Sequence, residues 1–81
     1  MQVRVLLFGA EAQAAGSATL DVRVDPGSTC LVVRDRMAEL SPALRPLLRA
    51  ARFAVNTEFV PLDHVIGEGD EIALIGMVSG G

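Results

Sequence analysis

The residues with the clearest capacity for chemistry are the last six, Gly76-Met77-Val78-Ser79-Gly80-Gly81, and above all the carboxylate that closes the Gly-Gly pair. At average glycine usage a terminal pair arises by chance in about one chain in 200, so its context has to carry the reading. The stretch follows an alternating apolar run, Ile72-Ala73-Leu74-Ile75, with no linker between them, so a strand should anchor it at its base. Six extended residues reach about 20 Å. Two glycines without Cβ atoms can thread a channel too narrow for other residues and approach a reactive centre closely. A tethered, slender carboxylate of this kind is a part on which another enzyme can act.

Other chemistry-bearing residues support less. Cys30 is the single cysteine, so it forms no internal disulfide, and its place on an apolar helical stripe reads as packing. His64 has no ligand cluster around it, and Asp63-His64 reads as a turn pair. Gly67-Glu68-Gly69-Asp70 lacks the lysine and following helix of a phosphate loop and reads as a turn. No metal site is expected. The arginines from Arg34 to Arg52 read as a solvated face, with an acidic partner surface as the alternative.

Eighty-one residues make one domain near the lower limit for a self-sufficient core. The chain is 51% hydrophobic and 21% charged, a globular composition. Its mean hydropathy of +0.43 leaves apolar surface for a partner. The net charge is -3, every basic residue is arginine, and only three Phe are present, which argues against nucleic-acid binding. Without lysine the chain offers no side-chain amine to its own C-terminus. No apolar run approaches the eighteen or so residues that span a membrane. The apolar segment after Met1 is too short for a signal peptide, so a cytoplasmic protein is expected.

The elements that must position the tail follow from periodicity. Gln2 to Phe8 alternates as a strand, with Val3, Val5 and Leu7 facing a core and Leu6 and Phe8 on the other face. Ala10 to Ala15 predicts a short helical turn stopped by Gly16. Thr19 to Val24 predicts a strand antiparallel to the first, with Leu20, Val22 and Val24 inward. Asp25-Pro26-Gly27 is turn chemistry, and Ser28 or Thr29 can cap the helix that follows. In that helix Cys30, Val33, Met37 and Leu40 form one stripe. Ser41-Pro42 ends it, and Pro46 keeps Ala43 to Ala51 irregular or partly helical. Phe53 to Val55 and Phe59-Val60 predict two strands around the tight turn Asn56-Thr57-Glu58. Leu62 to Ile66 reads as a connector, and Glu71 to Ile75 predicts the last strand. This is an α+β chain of about five strands on one principal helix. One helix covers one face of a sheet, so Phe8, Phe59 and Ile75 are expected on the uncovered face beside the base of the tail, as a partner interface.

The order strand-strand-helix-strand-strand-strand resembles the ubiquitin-like β-grasp. The segments Phe53-Ala54-Val55-Asn56-Thr57-Glu58-Phe59-Val60-Pro61-Leu62-Asp63, Gly69-Asp70-Glu71-Ile72-Ala73-Leu74-Ile75 and Val78-Ser79-Gly80-Gly81 closely resemble the MoaD family, the small, sulfur-carrying subunit of molybdopterin synthase. The opening Val3-Arg4-Val5-Leu6-Leu7-Phe8-Gly9-Ala10 matches as well, while Gly16 to Ala51 agrees mainly in pattern. The resemblance implies a mixed sheet, a β-grasp domain over residues 1–75 and a flexible tail over 76–81. It implies that an adenylating, MoeB-like enzyme uses ATP to activate the carboxylate of Gly81, which a sulfur donor protein converts to a thiocarboxylate. The chain itself would bind no cofactor. The loaded tail would then enter a large, MoaE-like catalytic subunit, in a heterotetramer of two small subunits on a dimer of large ones, and give sulfur to cyclic pyranopterin monophosphate. Gly81 would carry the chemistry and Gly80 the slenderness, with Ser79, Val78 and Met77 held in the partner's channel.

Where that family often has Pro-Pro, this chain has Gly76-Met77, which should loosen the tail. A thiamine-type carrier of the ThiS family and a ubiquitin-like protein modifier share the same tail. A passive binding module with an inert Gly-Gly is the remaining alternative.

Overall fold

A computed structural model describes residues 1–76. The expectations for Met77, Val78, Ser79, Gly80 and Gly81 therefore lie outside the described residues. Strand β1 (Gln2–Leu7) leads into a short helix α1 (Gly9–Ala15) and then β2 (Thr19–Arg23). The principal helix α2 (Cys30–Leu40) is followed by a 3-10 turn (Pro42–Leu44) and a four-residue helix α3 (Arg45–Leu48). Strands β3 (Arg52–Val55), β4 (Glu58–Val60) and β5 (Ile72–Ile75) complete the elements of the described residues.

The strands form one mixed sheet in the order β2-β1-β5-β3-β4. β1 is antiparallel to β2 and parallel to β5, and β3 is antiparallel to both β5 and β4. The last strand of the sequence thus occupies the centre of the sheet. Its parallel neighbour is the first strand, and α2 lies in the connection between the two antiparallel hairpins, as parallel pairing requires a long crossover.

Strand alternation sets the core. Val3, Val5, Leu7, Val22, Val24, Phe53, Val55, Ile72 and Leu74 are buried on one face, where they meet Cys30, Val33 and Met37 of α2. Thr29 caps α2 by accepting a hydrogen bond from the Val32 N–H. Gly16 closes α1 in the left-handed conformation that glycine adopts without a Cβ penalty.

The fourth member of the expected helical stripe departs from it: Leu40 is 57% exposed. The chain turns back at Ser41, whose N–H donates to the Met37 carbonyl, and Leu44 and Leu48 enter the core instead. Ile66, expected in a mere connector, is also buried there. Among the described residues no helix is long and apolar enough to cross a membrane.

Candidate functional site

The site is built around the root of the tail. β5 is held on both sides: Val5, Leu6 and Leu7 of β1 pair with Ile72, Ala73 and Leu74, while Arg52 to Val55 of β3 pair with Ile75 to Ile72. Its upstream end is tied as well. The Asn56 N–H donates to the Glu71 carbonyl (2.8 Å), and Asn56 Oδ1 accepts from the Glu71 N–H (3.0 Å). Asn56 Nδ2 also donates to Asp70 Oδ1 (3.0 Å), whose other oxygen accepts from the Gly67 N–H (2.7 Å). The backbone hydrogen bond from Gly67, aided by the one from Asn56, lowers the Asp70 pKa below its ordinary value. One carboxylate therefore closes the Gly67–Asp70 turn and fixes where β5 begins. This supports its reading as a turn.

The face of the sheet away from α2 carries a continuous row. Register places Thr19, Leu6, Ala73, Ala54 and Phe59 side by side across all five strands. One step nearer the tail, Ile75 pairs with Arg52, whose guanidinium carbon lies 4.9 Å from the centroid of the Phe59 ring. Phe8 follows Leu7, the partner of Leu74, and so comes level with Ile75 at the end of the two central strands. Phe8 and Phe59 are 52% and 55% exposed and Ile75 is half-buried; none of the three belongs to the core. Cross-strand register is what gathers these residues, which are far apart in sequence.

A residue that sequence reasoning missed touches the tail root from the other side. Glu11, in the first turn of α1, is the one buried charged residue among those described, at 6% exposure. Its carboxyl group packs against Gly76, so that a Cβ built on residue 76 would stand 2.7 Å from the Glu11 Cδ. Gly76 is thus more than a loosening substitution, because the Glu11 carboxyl occupies the volume a side chain there would need. A glutamate on a helix otherwise made of Gly, Ala and one Gln was the available signal, but periodicity alone does not place it.

The remaining candidates hold structural positions. Cys30 is fully buried, and desolvation pushes its thiol pKa up, the opposite of what a nucleophilic sulfur needs. The His64 carbonyl accepts the Cys30 N–H, so the residue serves the N-terminal edge of α2 through its backbone. No group of three or more His, Cys, Asp or Glu among the described residues is arranged to hold a metal ion.

A mixed five-stranded sheet packed on one principal helix, with the strand that precedes the Gly-Gly sequence at its centre, defines a ubiquitin-like β-grasp domain. The chain belongs to the ThiS family, whose model matches residues 5–81. It is 35% identical over 82 residues to the molybdopterin synthase sulfur carrier subunit of Mycobacterium tuberculosis, covering 100% of this chain and 99% of that protein. Among solved structures it is similar to SAMP1 of Haloferax volcanii, a small archaeal modifier protein, with a TM-score of 0.89, 30% identity and complete coverage of both chains. Subunit 1 or 2 of the molybdopterin-converting factor of Helicobacter pylori, solved as a complex of the two, shares the fold at a TM-score of 0.69 and 22% identity, again with complete coverage of both chains.

Proposed function

We propose that this protein is the sulfur-carrier subunit of a molybdopterin synthase. The observation that carries the reading is the position of β5: the strand that leads into the Gly-Gly terminus lies at the centre of the sheet and is hydrogen-bonded on both sides, a rigid base. The name of the mycobacterial relative, which aligns over the whole chain, supports the same assignment.

In this mechanism an activating enzyme joins the Gly81 carboxylate to AMP from ATP and releases pyrophosphate. A free carboxylate is a poor electrophile, so this step has to precede sulfur transfer. A donor then delivers sulfur at the sulfide level, which attacks the acyl carbon and expels AMP, leaving a terminal thiocarboxylate that is anionic near neutral pH and nucleophilic. The domain contributes no acid or base to these steps. It supplies a fixed root, and Gly80 a passage to the reacting atom. The large catalytic subunit is proposed to dock on the row of Leu6, Ala73, Ala54 and Phe59 with Phe8 and Ile75 beside it, and to take Met77, Val78, Ser79 and Gly80 into a channel. The aromatic and aliphatic groups suit a buried interface centre and Arg52 suits its edge.

Similarity to SAMP1, a small archaeal modifier protein, favours a second reading, in which Gly81 is joined to lysine amines of other proteins. Intact-mass spectrometry of the protein purified from its own host separates the two. A thiocarboxylate adds about 16 Da, the same nominal shift as methionine oxidation, so a C-terminal fragment ion must place it on Gly81. Transfer of that sulfur to cyclic pyranopterin monophosphate on adding the large subunit is the expected result. Covalent conjugates larger than the free protein, with no thiocarboxylate, would support the modifier reading. An unmodified Gly81 that persists with ATP, activating enzyme and sulfur donor would overturn both.

A further inference from the structure

The charge of this chain is strongly polarised. Residues 34 to 52 hold five arginines and two carboxylates, a net +3, which leaves -6 on the remainder. Folding concentrates this charge further. Arg34 of α2, Arg45 of α3 and Arg49 just beyond it gather with Asp35, Ala38 and Leu48 around an open concavity of about 230 Å³. The ion pairs among the described residues are Arg4–Asp21 and Arg36–Glu39; neither involves these three arginines. Arg45 and Arg49 are also i,i+4 neighbours of like charge, an arrangement that opposes local folding, and a four-residue helix has little dipole to offset it. The cluster therefore does not earn its place as a stabilising network.

We propose that this concavity is a docking site for an acidic segment of a second protein partner. Planar guanidinium groups favour bidentate pairing with carboxylates. Arg45 and Arg49 are exposed and Arg34 half-buried, so no closed cage exists to desolvate a small free anion. Single exposed ion pairs contribute little. A chain of carboxylates engages several at once and can lay its own apolar atoms along Ala38 and the edge of Leu48. The concavity lies on the helical side of the sheet, away from the outward row beside the tail. A partner held here leaves that row open to the enzyme that works on Gly81. The two surfaces allow simultaneous occupancy, and the inference does not depend on the sulfur-carrier assignment.

The test is an NMR titration of the full chain with a synthetic glutamate-rich peptide. Amide shifts centred on Arg34, Asp35, Ala38, Arg45 and Arg49 are expected. They should weaken as salt rises to physiological strength, where the screening length is about 8 Å. Reversing two attractions in the double variant Arg45→Glu, Arg49→Glu should weaken binding about tenfold or more, and the milder Arg34→Gln two- to threefold or so. Arg23→Glu, on the exposed face of β2, should leave it unchanged within roughly twofold. Equal losses in the Arg23 and Arg45/Arg49 variants would overturn the proposal, since they would mean diffuse charge attraction. So would equal or tighter binding of inorganic phosphate or a single-stranded oligonucleotide at the same residues. Loss of the carrier reading by mass spectrometry would leave this titration unaffected, and failure of the titration would leave the chemistry at Gly81 intact.

Discussion

Substituting Gly76 by alanine tests whether Glu11 controls the root of the tail. The added Cβ would lie 2.7 Å from Glu11 Cδ and 2.5 Å from Oε1, where ordinary contact begins near 3.4 Å, so about 1 Å of movement is required. Two responses are available. Backbone displacement would have to drag β5 against its pairings with β1 and β3. Rotation of the Glu11 side chain moves only the far end of a flexible group and returns its carboxylate to water, so the second response should win. Overpacking costs about 1–3 kcal/mol, and relief by a flexible side chain places Gly76→Ala near 1 kcal/mol. For a domain of this size that corresponds to about 4–8 °C in Tm. Thermal and urea unfolding of the wild type, Gly76→Ala, Glu11→Ala and the double variant form a complete cycle. Once Glu11 is an alanine, Gly76→Ala should cost only a few tenths of a kcal/mol, giving a coupling of roughly 1 kcal/mol between the two sites. Strict additivity, or a Gly76→Ala variant as stable as wild type, would refute the assigned contact.

Three further outcomes are expected. Phe8→Ala and Phe59→Ala should leave Tm nearly unchanged, because both side chains are exposed, while weakening binding to the large subunit about tenfold or more by calorimetry; unfolding without a separable binding defect would disprove the docking surface. Asp70 has a folded pKa below its ordinary 3.8, so its contribution to stability is complete above that value and is lost as pH falls through the lower folded pKa. Asp70→Asn should accordingly reduce the acid sensitivity of unfolding below about pH 4, as measured by urea midpoints across pH. Finally, Asn56 and Thr57 form the β3–β4 turn with φ of 51° and 71°, strained for a β-branched residue, so Thr57→Gly should raise stability by about 0.5–1 kcal/mol.

Much of the fold is legible in local sequence patterns. Period-two alternation marked Val3, Val5 and Leu7, Ile72 and Leu74 as inward, and Gly16 and Thr29 marked helix boundaries, because these signals act between residues close in the chain. Leu40 misled because helical spacing says which face a residue takes but not where the neighbouring chain covers that face. Leu44, Leu48 and Ile66 carried too little periodicity in their short segments to announce themselves as core. The same distinction holds at the site. Local sequence marks the chemistry-bearing end, the alternating strand behind it, and the outward apolar character of Phe8 and Phe59. The central place of β5 in the sheet, the alignment of Leu6, Ala73, Ala54 and Phe59, and the packing of Glu11 against Gly76 arise in the folded chain. Those are contacts between residues up to 67 positions apart, and they come from strand order and packing, which no local pattern encodes.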